Sequence, residues 1–484
     1  MHYTSTRNDT LSASASAAIL TGLAPDGGLF VPVSFPALDV STCYGLSYPE
    51  IAQKVLQLFL TDYDSAFLEN AVTQTYSAEN FGGKAGFVNK VSDDLFALEL
   101  WHGPTCAFKD YALQLMPKLL CEAKKLQKDN GITKILVATS GDTGKAALAG
   151  YANLQGIKIA VFYPNDGTSA IQRLQMETQE GNNVAVYAVN GNFDDAQRGV
   201  KRAFAAQNLA ADLAQKGEAL SSANSINWGR LVPQIVYYFY AYAQLVAKKE
   251  IESGERISFC VPTGNFGDIL AGYYAKQMGL PIDKLICASN TNNVLTDFLE
   301  TGTYNANRTF YKTSSPSMDI LVSSNLERLL YHITQNSVQV AAWMQQLAQE
   351  GTYTVAPEVL QKIQETFDCG YANEEDVSNQ IAKQMVQNKY LCDPHTAVAF
   401  LVAERTELTA PCVVLSTASP YKFAGDVLCA LGEPVPADAF AAMQALSEKT
   451  ALPIPQSLTD LQQKAVRFAH TINPQDILQI ARDF

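Results

Sequence analysis

From Lys134 onward the chain alternates apolar runs of strand length with stretches of helical spacing, and no other feature constrains the fold as much. Apolar runs at 135–138, 157–163 and 184–189 are predicted strands, while 145–154 and 169–179 carry helical periodicity, with Gly156 and Gly181 marking the returns. Strands joined by helices of this length pair in parallel, because the crossover helix covers a face of the sheet. The pattern recurs further on, with a predicted helix over 231–250, a strand over 257–261, a helix over 268–278, Gly279, and a strand over 285–289. Two such sets, divided near 221–230, predict two open α/β domains with a cleft between them. Ligands of such sheets bind beyond the carboxyl ends of the strands.

Residues 1–90 read as a separate N-terminal extension, with the turn Ala24-Pro25-Asp26-Gly27-Gly28, a short strand over 29–31 and a helix over 48–60. Residues 91–230 are assigned to a smaller α/β domain and 231–484 to a larger one. The larger unit is mostly helical beyond Thr313 but carries one more strong strand at 413–416.

Composition narrows the function classes. The chain has 484 residues, 47% hydrophobic and 17% charged, with a formal net charge of −13. A diffuse negative field repels a phosphate backbone and an anionic membrane surface, so no nucleic-acid partner is expected. The most apolar long run, 231–247, is broken by Gln234 and Gln244 and falls short of a membrane span. Nine cysteines with no Cys-x-x-Cys pair fit neither a disulfide framework nor a zinc site, and read as reduced thiols of a cytoplasmic protein. Five histidines, none paired at helical spacing, give no reason to expect a metal. No stretch identifies an interface, which leaves monomer and homodimer undistinguished.

Four loops carry the chemistry. In the first, a predicted strand over 95–100 is broken by Gly103-Pro104 and followed by Thr105-Cys106-Ala107-Phe108-Lys109-Asp110 and a helical repeat over 111–120. Lys109 then sits at a helix start, the positive end of the macrodipole, which eases loss of its proton and suits an amine that attacks a carbonyl. The second loop, Thr139-Ser140-Gly141-Asp142-Thr143-Gly144-Lys145, fails the Walker pattern, because Thr139 replaces the first glycine and Ala146 the hydroxyl after lysine. What is left is a Ser/Thr/Gly turn into a helix, a generic anion cradle or a capping turn. The third, Pro262-Thr263-Gly264-Asn265-Phe266-Gly267-Asp268, is the best phosphate cradle, since its glycines admit close approach to free helical N–H groups. The fourth, Thr417-Ala418-Ser419-Pro420-Tyr421-Lys422-Phe423, offers a hydroxyl at a strand end.

Together the lysine, the two Gly-containing turns and the hydroxyl resemble the pyridoxal-phosphate enzymes of fold type II, and within them the threonine synthase family. The resemblance extends over Tyr3-Thr4-Ser5-Thr6-Arg7, Gly22-Leu23-Ala24-Pro25-Asp26-Gly27-Gly28-Leu29-Phe30-Val31-Pro32, His102-Gly103-Pro104-Thr105, Ala107-Phe108-Lys109-Asp110, Phe193-Asp194-Asp195-Ala196-Gln197 and Asn224-Ser225-Ile226-Asn227-Trp228-Gly229-Arg230. It continues through Ser317-Met318-Asp319-Ile320, Ser324-Asn325-Leu326-Glu327-Arg328 and Asp393-Pro394-His395-Thr396-Ala397. The motifs run in consistent order along nearly the whole chain.

The resemblance implies pyridoxal 5′-phosphate as cofactor, with Lys109 as its Schiff-base lysine and proton carrier. It implies that Gly264, Asn265, Phe266, Gly267 and Asp268 hold the cofactor phosphate and that Thr417 faces the ring nitrogen. Thr105, Ser140, Gly141, Asp142, Thr143 and Gly144 are implied to receive the substrate, with the turn at 140–144 taking its carboxylate. Asn227 and Arg230 are expected to bind a substrate phosphate, with an interdomain carboxylate as the alternative partner of Arg230. The implied reaction converts O-phospho-L-homoserine and water to L-threonine and phosphate. A phospho-lyase yielding 2-oxobutyrate, or a catalytically silent binding protein of the same fold, are the rival expectations. His102 and His395 are expected to be hydrogen-bonded structural residues, and Glu327 and Arg328, near Asp319, part of an interior ion-pair network. Ser419 stands where many relatives have histidine.

Overall fold

The computed structural model describes residues 1–165 and 167–484. Asp166, and the side chain of Asp194 in the 193–197 motif, lie outside the described residues. Two sheets organise the chain. The larger has six strands in the order Phe367–Tyr371, Ile282–Ser289, Ile257–Pro262, Cys412–Ser416, Leu95–Glu99, Phe87–Lys90, parallel except for the last. The smaller has five strands, Thr471–Ile472, Val184–Val189, Ile157–Pro164, Ile132–Ala138 and Glu218–Ser221, all parallel. Strands buried on both faces are continuous apolar runs, and Ile257–Pro262 and Cys412–Ser416 are buried at every position.

The hydrogen bonding differs from the sequence-based division at two points. Leu95–Glu99, placed with the smaller unit by a boundary at residue 91, pairs with Cys412–Ser416 in the larger sheet. The C-terminal Thr471–Ile472 returns to the smaller sheet beside Val184–Val189, and helix Ile477–Asp483 packs against helix Phe193–Ala205. A two-residue strand has no readable period, and pairing across more than 280 residues leaves no local trace.

Two predicted helices are interrupted, each by a proline. The 111–120 repeat forms one turn, Asp110–Leu113, and then helix Met116–Leu126, because Pro117 has no N–H for the Leu113 carbonyl. Likewise the 231–250 helix starts as Trp228–Leu231 and a 3-10 turn, Val232–Gln234, before Ile235–Ala247, with Pro233 at the break.

The N-terminal extension forms a three-stranded antiparallel sheet, Asn8–Ala13, Tyr3–Ser5 and Phe30–Pro32, beside helix Tyr48–Phe59. Its motifs turn out to be docking contacts. Arg7 forks onto Glu327 at 2.8 and 2.7 Å, Thr6 donates to the same carboxylate at 2.5 Å, and Arg328 donates to the Phe30 and Ile226 carbonyls. Asp319 is not part of that network. It accepts from Asn290, Asn292 and Thr313 instead.

Candidate active site

Loops at the carboxyl ends of strands from both sheets meet in one cavity. Lys109, Asp142, Thr143, Arg230, Gly264, Asn265, Phe266, Gly267, Asp268 and Thr417 all line it. The link that brings Lys109 to Thr417 is a backbone bridge between Ala107 and Ala418, in which the Phe108 N–H donates to the Thr417 carbonyl at 2.8 Å and the Ser419 N–H to the Cys106 carbonyl at 3.1 Å. Cys106 adopts φ 60° to make that turn, a strained conformation for a residue with a side chain.

Lys109 is 9% exposed. Its Nζ donates to Ser317 Oγ at 3.4 Å, stands 3.9 Å from Asp142 Oδ2, and lies 4.4 Å from the centre of the Phe108 ring. Burial pushes the amine down to about 8, partly countered by Asp142 and helped by Arg230 and Lys422. The expected helix-dipole effect is minor, because the helix that Lys109 opens has a single turn. An amine at this value is half deprotonated near pH 8, so a neutral fraction is available close to neutrality, where an ordinary lysine has almost none.

Asp142 starts helix Asp142–Tyr151 and has two cationic neighbours. Lys422 Nζ donates to its Oδ1 and, at 3.1 Å, to the Thr105 carbonyl, and Gln172 donates at 2.8 Å. Burial alone would raise this carboxyl, but the Lys422 and Lys109 ammonium groups outweigh it and hold Asp142 well below the usual carboxylate range. Lys422, which the sequence reading did not single out, is therefore the fixed counter-ion of the turn.

Arg230 is buried and lines the cavity. Its Nη1 donates to the Ala223 carbonyl at 2.7 Å, while Nε has no partner. No carboxylate pairs with it among the described residues, so the interdomain ion pair held open above is not found. Burial lowers it to about 10. A buried guanidinium in a cavity wall with an unused N–H is suited to an anion.

The phosphate-cradle turn uses its glycines unequally. A Cβ on Gly264 would sit 2.5 Å from the Ser317 carbonyl oxygen, so only glycine permits that approach. The positive φ falls on Phe266, at 60°, whose ring packs on Phe367 at 5.6 Å between centroids. Helix Gly267–Gln277 then points its free N–H groups at the cavity. The remaining lining residues include Asn224, Ser225, Gln234, Ser317 and His395. His395 Nδ1 faces Asp393 Oδ2 at 2.6 Å, and its Nε2 accepts from the Ser317 N–H at 3.1 Å, so the Asp393–His395 pair fixes the turn that presents Ser317 to Lys109. His395 is thus both hydrogen-bonded, as expected, and part of the cavity wall. His102 pairs with Glu99 at 2.6 Å, away from this cavity.

Five of the expected substrate residues do not reach the cavity. Thr105 is spent on Asp110, through its N–H and its hydroxyl, both at 2.8 Å. Asn227 is fully buried as the cap of helix Trp228–Leu231, accepting from the Gly229 N–H at 2.8 Å and donating to the Ile19 and Ser222 carbonyls. Ser140 lines a neighbouring cavity with Lys312 and Asp319. Gly141 takes φ 143° to turn into the helix, and Gly144 packs against Thr139, Met176 and Val161. Of the second turn, only Asp142 and Thr143 line the cavity itself.

The donor set fits pyridoxal phosphate. It offers a poised amine, a glycine-lined N–H cradle with no room for a Cβ at Gly264, a hydroxyl residue at the opposite strand end, and an orphaned guanidinium N–H. Comparison with known proteins gives the same family. Family models match for "Threonine synthase N terminus" over residues 2–76, "Pyridoxal-phosphate dependent enzyme" over 71–418 and "Threonine synthase, C-terminal" over 396–480. The chain is 41% identical to human "Threonine synthase-like 1" over 432 residues, 86% of this chain but 58% of that longer protein. It is 39% identical to threonine synthase of Pseudomonas aeruginosa, covering 87% of this chain and 89% of the relative. The crystal structure of pyridoxal-phosphate-bound threonine synthase from Brucella melitensis superposes with a TM-score of 0.87 at 36% identity, covering 100% of this chain and 99% of that one. On these grounds the chain belongs to the threonine synthase family of pyridoxal-phosphate-dependent lyases, with the fold type II architecture.

Proposed function

We propose that this protein converts O-phospho-L-homoserine and water to L-threonine and phosphate, as the last step of threonine biosynthesis. The observation that carries the reading is the convergence of Lys109, the Gly264–Gly267 cradle, Thr417 and Arg230, whose Nε has no partner, on one cavity. When bound, pyridoxal phosphate supplies an electron sink for negative charge developing beside the substrate nitrogen. Lys109 would hold the cofactor, and its amine is the group that would carry protons. Its buried amine is matched to take a proton from Cα and one from Cβ, to return one at Cγ after phosphate has left, and to return the other at Cα after water has added at Cβ.

N–H groups at the start of helix Asp142–Tyr151 receive the substrate carboxylate, and the Lys422 counter-ion keeps Asp142 from repelling it. Thr417, in the wall of the cavity, would face the ring nitrogen. A hydroxyl there leaves that nitrogen less basic than a carboxylate would, which puts more of the proton work on Lys109. Arg230 takes the substrate phosphate. The nine free cysteines suit a reducing, cytoplasmic setting, and no helix among the described residues is long and apolar enough to cross a membrane.

One product assay tests the assignment. With O-phospho-L-homoserine, threonine and phosphate are expected in equal amounts. Phosphate accompanied by 2-oxobutyrate and ammonia instead would make the protein a phospho-lyase, and no turnover would leave a silent binding protein. For Arg230→Ala the expected result is a KM for phosphohomoserine higher by about 10- to 100-fold, the loss of one charge-assisted hydrogen-bonding group. An unchanged KM would remove Arg230 from the substrate site.

A further inference from the structure

Asp268, in the first turn of helix Gly267–Gln277, is left oddly provided for. It is 7% exposed and lines the cavity. Its Oδ1 accepts from the Tyr237 hydroxyl and, at 3.3 Å, from the Tyr238 hydroxyl, which also donates to the Asp268 carbonyl at 2.9 Å. Its Oδ2 is buried and has no partner. No lysine or arginine forms an ion pair with it among the described residues. The other titratable groups lining the cavity are Lys109, Asp142, Arg230 and His395, and Tyr237 and Tyr238 face it from helix Ile235–Ala247.

An ionised Asp268 would set a bare carboxylate oxygen against a phosphate at the same helix start, where like charges repel in a poorly solvated place. A proton on Oδ2 reverses the sign of that contact. Oδ1 keeps the Tyr237 donor, and the otherwise unpartnered Oδ2 becomes a donor. Burial raises this carboxyl from 3.8 to about 7 despite the two tyrosine hydroxyls and Lys109, so the proton is within reach near neutrality.

We propose that Asp268 meets the cofactor phosphate as a neutral carboxylic acid, its Oδ2–H donating to a phosphate oxygen, so that phosphate binding is coupled to uptake of one proton from solvent. This rests on the reading that the Gly264–Asp268 turn holds the cofactor phosphate. The proton forms an O–H bond on Asp268, and no other bond changes.

The test uses the full-length apoprotein and pyridoxine 5′-phosphate, which lacks the aldehyde and cannot bond to Lys109. Calorimetric titration at pH 8 in buffers of different ionisation enthalpy counts the protons exchanged. Wild type is expected to take up close to one proton. Asp268→Asn keeps the Oδ1 acceptor and supplies an N–H donor, so it is expected to bind within about threefold of wild type with no uptake, while Asp268→Ala binds more than about tenfold weaker. Zero uptake by wild type, persistent uptake in Asp268→Asn, or binding by Asp268→Asn as weak as by Asp268→Ala would each overturn the inference alone. If neither pyridoxine phosphate nor pyridoxal phosphate binds, the cofactor assignment falls and this inference with it. A second readout needs no ligand. A raised carboxyl contributes stability that is full below 3.8 and is lost as pH climbs through about 7, so Asp268→Asn should gain on wild type between pH 5 and 8. No relative gain would overturn it.

Discussion

Lys109→Ala is expected to abolish threonine formation, with kcat lower by at least about 10³-fold, because both the anchoring amine and the proton carrier go with one side chain. Binding of pyridoxal phosphate should survive in weakened form, since the Gly264–Gly267 cradle and Thr417 are untouched. The same amine sets a pH dependence. With its value near 8 rather than 10.5, the reactive neutral fraction of Lys109 rises steeply between pH 7 and 9 and levels off above. The rate of aldehyde capture by the apoenzyme, followed by absorbance, should trace that curve. A rate still climbing at pH 10 would mean that Lys109 is an ordinary solvated lysine.

The second large effect is on stability. In Lys422→Met the Asp142 carboxylate loses the cation that donates to its Oδ1, and both side chains are buried, at 0% and 2% exposure. Removing one partner of such a pair costs about 3–5 kcal/mol, because the remaining charge stays desolvated. Lys109, 3.9 Å from Asp142 Oδ2, can recover only part of it. Chemical denaturation of the apoprotein should show the loss, and the double variant Lys422→Met with Asp142→Asn should recover most of it. Because Lys422 also helps to lower Lys109, aldehyde capture in Lys422→Met should shift to higher pH. A variant as stable as wild type, with an unshifted profile, would contradict the role given to Lys422.

Much of this was readable along the chain because parallel strands buried on both faces announce themselves as unbroken apolar runs, and each site loop follows one of them. The lysine loop and the Gly264–Asp268 turn were legible for that reason. Lys422 and Ser317 were not, since a lysine after Pro-Tyr and a serine after Pro look like surface residues until the Ala107–Ala418 bridge and the Asp393–His395 pair bring them inward. Asn227 and Thr105 failed in the opposite sense. Their residue types suit a ligand, but a helix cap and a neighbouring aspartate satisfy them first. The helix dipole invoked for Lys109 pointed the right way for the wrong cause, as burial does the larger part.

The central claim is that one lysine, Lys109, holds the cofactor. It has competitors. Lys145 is half-buried and also lowered to about 8, and Lys422 stands in the same network. Borohydride reduction of the loaded protein, followed by peptide mass spectrometry, fixes the cofactor to whichever lysine holds it. The phosphopyridoxyl mass is expected on the peptide containing Lys109 and absent from all others. The same mass on a peptide containing Lys145 or Lys422, or on none, would contradict the account.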